Sequence, residues 1–101
     1  MTITVEFSGT VASIVLSGGI DYATQEEFKN ANKQALSSEG TKEIRVDFAG
    51  ATFLDSSAIR ALIILNKEAN AVGKSLTLMN CNDNLREIFE IGGFDKIFTF
   101  R

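Results

Sequence analysis

The run Glu43-Ile44-Arg45-Val46-Asp47-Phe48-Ala49-Gly50-Ala51-Thr52-Phe53-Leu54-Asp55-Ser56-Ser57-Ala58-Ile59-Arg60 decides the fold. Its first six residues alternate, with Ile44, Val46 and Phe48 set against Glu43, Arg45 and Asp47. That is the period of a strand with one buried face. Gly50 closes the run, and Ala51 to Leu54 reads as a loop. Asp55, Ser56 and Ser57 are all good helix N-caps. With Asp55 as the cap, Leu54 and Ile59 fall at the two positions of a hydrophobic staple. Ala58 to Val72 then reads as the most apolar helix of the chain, with Gly73 at the residue that ends it.

Before this run, Ile3, Val5 and Phe7 alternate with Thr2, Thr4 and Glu6. Val11 to Leu16 is rich in β-branched residues, and Ser8-Gly9-Thr10 between the two runs predicts a hairpin. Gly18-Gly19 closes the second strand. Thr24 stands three residues ahead of Glu27, a capping-box pattern. Phe28, Ala31, Ala35 and Leu36 follow on one helical face. Past Gly73, Leu76 to Asn80 reads as a strand. Asn82 and Asp83 cap a short helix with Leu85, Ile88 and Phe89 inward. Gly92-Gly93 stops that helix, and Ile97 to Phe100 is a last strand.

The order β-β-α-β-α-β-α-β predicts an α/β fold, one domain over residues 1–101 built on a mixed sheet. The first pair is antiparallel, and the later crossovers give parallel pairs. Clean alternation in the first and third strands leaves one sheet face wet, so the helices belong mainly on the other.

Composition narrows the chemistry. The 101 residues include no His, no Pro, no Trp and one Cys, with a formal charge of −3. Lack of His removes Ser-His-Asp and Cys-His catalysis and His-ligated metals. Cys81 alone forms no internal disulfide and no Cys-rich zinc site, and a reducing cytoplasmic setting fits it. An acidic chain is a poor match for a nucleic acid duplex or an anionic membrane surface. Thr2 to Glu6 lacks the basic start and apolar run of a signal peptide. The longest apolar stretch, Ala61 to Leu65, is far below a membrane span. No glycine-rich phosphate or dinucleotide loop is present, and no cofactor is expected.

The remaining candidates sit where the third strand feeds the second helix. Asp55, Ser56 and Ser57 serve as caps, and that role alone accounts for them. The same geometry suits a phosphate, since a helix N-terminus offers free N–H groups and a positive dipole end. Arg60, one turn on, reaches back toward such a group. Asp55 and Asp21, the latter in the loop after the second strand, oppose it with negative charge. Phe53-Leu54 is an apolar pair beside the motif, read as tucked under the helix rather than offered to a partner.

Three stretches together resemble the STAS domain, shared by sulfate transporters and anti-sigma factor antagonists, and most of all the stand-alone SpoIIAA-type antagonists. Gly18-Gly19-Ile20-Asp21 is similar to the family's Gly-Glu-Leu-Asp. Val46-Asp47-Phe48 through Phe53-Leu54-Asp55-Ser56-Ser57 resembles its strand-loop-helix signature. Phe89 to Phe98 resembles its closing helix-loop-strand. The resemblance implies a regulatory protein-binding domain and not an enzyme. It implies phosphorylation on Ser56, with Ser57 the alternate site, by a GHKL-type serine kinase that is also the anti-sigma factor. The partner surface would include Asp21, Asp55, Ser56, Ser57, Ala58 and Arg60. It further implies no metal, no direct nucleic acid contact, no membrane insertion, and a monomer or weak dimer. Ala58 stands where the family usually has Gly, adding a methyl group, and Arg60 adds bulk and charge. A STAS subunit that binds its partner constitutively, as in a transporter complex, is the alternative function.

Overall fold

The structure, a computed structural model, describes residues 3–101; Thr2, which the first alternation includes, lies outside them. Five strands form one sheet in sequence order: β1 (Ile3–Ser8), β2 (Val11–Ile20), β3 (Glu43–Leu54), β4 (Ser75–Met79) and β5 (Thr99–Phe100). β1 and β2 are antiparallel, and every later pair is parallel. The helices are α1 (Gln25–Ser37), α2 (Ser56–Ala71) and α3 (Asp83–Ile91). Each parallel connection steps one strand in the same direction, so right-handed crossovers put all three helices on one face. That is the expected mixed-sheet architecture.

Side-chain alternation sorts the two faces. Ile14 and Leu16 of β2, Ile44, Val46 and Phe48 of β3, and Leu78 of β4 are almost wholly buried under the helices. They meet Phe28 and Ala35 of α1, Leu62 and Leu65 of α2, and Leu85 and Phe89 of α3 in one core. The other face carries Ser13, Glu43, Arg45, Asp47 and Thr77. It is wet, but a clamp crosses it. Glu43 accepts from Arg45 Nε at 3.1 Å, Thr77 Oγ1 at 3.2 Å and Arg101 at 2.6 Å. The Arg45 hydrogen bond is the main reason the Glu43 carboxyl is held below its ordinary pKa.

Three local expectations change. The second strand does not stop at Gly18-Gly19, and the third does not stop at Gly50; they pair as far as Ile20↔Leu54. Two register shifts make this possible. Across the first, Val15 pairs with Asp47 but Ser17 with Gly50; across the second, Gly18 pairs with Ala51 but Gly19 with Phe53. Each bulge adds one residue to β3 and resets which side chains point inward. The buried positions therefore run Ile44, Val46, Phe48, then Ala51, then Leu54. A plain period of two would place Gly50 and Thr52 inward and miss Ala51, so the segment reads as loop.

The third change concerns the start of α1. Thr24 and Glu27 do not form the expected capping box. Thr24 is the N-cap of α1 but makes no side-chain cap bond there. Its backbone N–H and hydroxyl turn back to Asp21, which caps a 3-10 turn over Tyr22–Thr24. Glu27 instead accepts the Ile3 N–H at 3.0 Å, fastening α1 to β1.

Candidate functional site

The extended β2–β3 pair delivers two loops to one end of the sheet. From Ile20 the chain turns into Asp21 and Tyr22; from Leu54 it turns into Asp55 and α2. Asp55 N–H donates to the Ile20 carbonyl at 3.2 Å, so the pairing carries on one step beyond the strands. The Asp55 side chain then joins both loops. Oδ1 accepts from Ala58 N–H at 3.0 Å and from the Ser57 hydroxyl at 2.6 Å. Oδ2 accepts the Tyr22 N–H at 3.0 Å. Each of these stabilises the ionised carboxylate, the Ser57 bond most, and holds the Asp55 pKa below its ordinary value.

The two serines are thereby separated in role. Ser57 is half-buried and its hydroxyl is committed to Asp55. Ser56, the first residue of α2, is exposed, and its hydroxyl makes no hydrogen bond among the described residues. The predicted neighbours of Ser56 take three different places. Arg60 is exposed one turn along the same helix. Asp21 is brought to the same edge through the adjacent Tyr22, with its carboxylate taken up by Thr24. Ala58 is buried, with 3% of its surface exposed. Its methyl group lies beneath the helix and adds nothing to the surface.

Ser56, Ser57 and Arg60 share a concavity of about 570 Å³ with Tyr22, Gln25 and Lys29 of the turn before α1 and of α1 itself. Lys29 and Tyr22 were not legible as site residues. Lys29 reads as one of several polar residues on the solvent side of α1, and only the packing of α1 against α2 brings it opposite Ser56. Tyr22, 71% exposed, supplies the one aromatic ring in the lining of the concavity. Strand alternation splits the Phe53-Leu54 pair. Leu54 is tucked under the helix as expected, while Phe53 faces out against Gly19.

Among the described residues, no three His, Cys, Asp or Glu side chains converge to hold a metal, and no helix is long and apolar enough to cross a membrane. Cys81 is half-buried, and desolvation pushes its thiol pKa up to about 11. What the concavity offers is an unengaged hydroxyl at a helix N-terminus, with Lys29 and Arg60 in its walls and the Asp55 carboxylate held by its Tyr22 and Ser57.

The family model described as "Mlab, STAS domain" matches residues 3–99. This chain belongs to the STAS family. A STAS-domain containing protein of Pseudomonas aeruginosa, PA14_20770, is 29% identical over 90 residues, covering 89% of this chain and 87% of that one. BtrV of Bordetella bronchiseptica, which bears the name of an anti-sigma factor antagonist, is 28% identical over 83 residues, or 82% of this chain and 71% of its own. The anti-sigma factor antagonist SpoIIAA in its unphosphorylated form has the same fold, with a TM-score of 0.76 over 98% of this chain and 86% of that chain at 21% identity. The STAS domain thus has relatives among anti-sigma factor antagonists.

Proposed function

We propose that this STAS domain is an anti-sigma factor antagonist that binds an anti-sigma factor of the serine-kinase type and is released from it when Ser56 is phosphorylated. The observation that carries the reading is the division of labour between the serines. Ser57 is tied to Asp55, which leaves Ser56 as the exposed hydroxyl at the start of α2. The contact surface runs from Asp21 and Tyr22 across Ser56 to Arg60. A cytoplasmic setting goes with this role.

Charge explains the release without refolding. A phosphate brings about −1.5 to −2 charges at pH 7. The free N–H groups and dipole of α2, with Arg60 and Lys29 in the same concavity, offset that charge in the free protein. In a complex that excludes water the repulsion from Asp55, Asp21 and any acidic partner group is less screened. A loss of about 1.4 to 4 kcal/mol weakens binding roughly 10- to 1,000-fold.

The test is the intact mass of the protein from its native cells across growth conditions, with fragmentation to place the modification. Phosphate on Ser56 in some conditions supports the switch, and Ser56→Ala then binds the partner kinase constitutively while Ser56→Asp binds poorly. Phosphate on Ser57 alone reassigns the site. An unmodified chain that stays bound to its partner in every condition leaves the constitutive STAS subunit as the function.

A further inference from the structure

The two edges of the sheet are unequal. β5 is two residues long, and a very short edge strand gives other chains little to pair with. β1 has six residues in unbroken register with β2, from Ile3↔Leu16 to Ser8↔Val11. It has no bulge and no Pro, and Glu6 is its one charged side chain.

The hairpin shows which backbone groups face outward. Ser8 and Val11 flank a two-residue turn with Gly9 at φ +59. The Ser8 carbonyl closes such a turn by accepting from the Val11 N–H. By the alternation of an antiparallel ladder, Thr4, Glu6 and Ser8 spend their backbone groups on β2, and Ile3, Val5 and Phe7 turn theirs away. The Ile3 N–H agrees, since it bonds to Glu27 on α1. The Ile3 carbonyl and both groups of Val5 and Phe7 form the outward row. An open groove of about 410 Å³ lies between this edge and α1, walled by Val5, Glu27, Asn30, Ala31 and Gln34. It has room for the side chains of an added strand.

We propose that β1 pairs antiparallel with β1 of a second copy of this chain, about a two-fold axis through Val5. Val5 then faces Val5 of the second copy, Ile3 faces Phe7, and Thr4 faces Glu6. The two Val5 residues exchange N–H and carbonyl bonds. Each Phe7 N–H donates to an Ile3 carbonyl, and each Ile3 N–H keeps Glu27. The occupant is a second copy because the row is its own complement: Ile3, Val5 and Phe7 read the same in apolar character from either end. Within Ile3–Ser8, two-fold registers centred on Val5 or Glu6 pair the most residues, and charge decides between them. Centring on Glu6 would set two carboxylates face to face in a non-hydrogen-bonded pair, the closer kind. The association is isologous and stops at two, because the outer edges of the pair are both the blunted β5.

Sedimentation equilibrium of the full chain from about 10 μM to about 1 mM is the experiment, with the variants Thr4→Lys and Thr4→Glu. Thr4 is exposed, and circular dichroism verifies that both variants fold. A dimer is expected. Thr4→Lys places a cation beside Glu6 of the other copy twice and tightens the dimer roughly 2- to 30-fold, and Thr4→Glu weakens it by a similar factor. Isotope-filtered NMR of the dimer is expected to show contacts between Val5 and Val5 of the other copy. A monomer throughout the range leaves the edge to a strand of some other protein and overturns the proposal. So does a dimer that answers both variants alike, or one whose filtered contacts lie away from β1.

Discussion

Asp55 gathers three donors from two loops, and this makes it the residue on which the site depends. Asp55→Ala removes the α2 cap together with the tie to Tyr22, and a loss of about 0.5–2 kcal/mol is expected from the cap alone. Asp55→Asn keeps a cap and loses the charge, which gives the effect a pH signature. The Asp55 pKa is depressed below its ordinary 3.8 in the folded state. Its charge-dependent stabilisation is therefore complete above the ordinary value and disappears as pH falls through the lower folded value. Urea unfolding at a series of pH values from about 6 to about 2 is expected to show wild type and Asp55→Asn converging at the acid end. The serines should differ in the same assay. Ser57→Ala loses a hydrogen bond to a charged group and is expected to cost about 1.5–3 kcal/mol at most, discounted by its half-exposed setting. Ser56→Ala, at an exposed and unengaged position, is expected to change stability by less than about 0.5 kcal/mol.

At the scale of elements, Gly18 and Asn32 mark two places where local rules are broken. Gly18 lies within β2 between the two register shifts, with φ at +78 and nothing near the position of a Cβ. Space is thus available to a side chain, and the backbone conformation is what resists it. Gly18→Ala is expected to cost about 1–2 kcal/mol in urea unfolding. Asn32 is buried on α1 with Leu36, Ala61, Ile64 and Leu65 around the same groove, and its Oδ1 has no hydrogen-bond partner. A buried acceptor left unpaired costs about 1–3 kcal/mol, so Asn32→Leu is expected to raise the unfolding midpoint. Both residues show why the sequence was only partly readable. Regular periods located the long elements, because Ile44, Val46 and Phe48 or Phe28, Ala31 and Ala35 obey a constant repeat. The last strand, by contrast, is only Thr99–Phe100 and not Ile97 to Phe100, since a 3-10 turn over Phe94–Lys96 takes up the chain before it. The bulges break that repeat between Phe48 and Leu54, and no spacing rule signals an inserted residue. Asn32 reads as solvent-facing by its chemistry, and only the contact of α1 with α2 buries it. The Asp55-Ser56-Ser57 cap was legible because capping is a short-range event. Lys29 and Tyr22 were not, since tertiary packing alone puts them beside Ser56.

Across the whole molecule, one aromatic residue closes the C-terminal half. The Phe89 ring meets Phe48, Phe98 and Phe100 edge-on, with centroids at 6.3, 5.7 and 5.4 Å. It joins α3 to the central strand and to the last turn of chain, on the helical side of a sheet whose other face is held by Glu43. Phe89→Ala is expected to cost about 3–5 kcal/mol, a large part of the stability of a domain this size, measured as a fall in the urea midpoint. The bulged β3 has a consequence of a different kind. Between Asp47 and Asp55 the strand gains two residues over its partner, and each one turns the following side chains over. The distance from Asp47 to Asp55 is therefore a counted length. Loss or gain of one residue there would leave either Leu54 or Ala51 pointing the wrong way and pull the start of α2 out of line with Ile20. Insertions and deletions in relatives that keep this site should avoid that interval and collect in the turns at Gly40 and Gly73, where added length disturbs no phase.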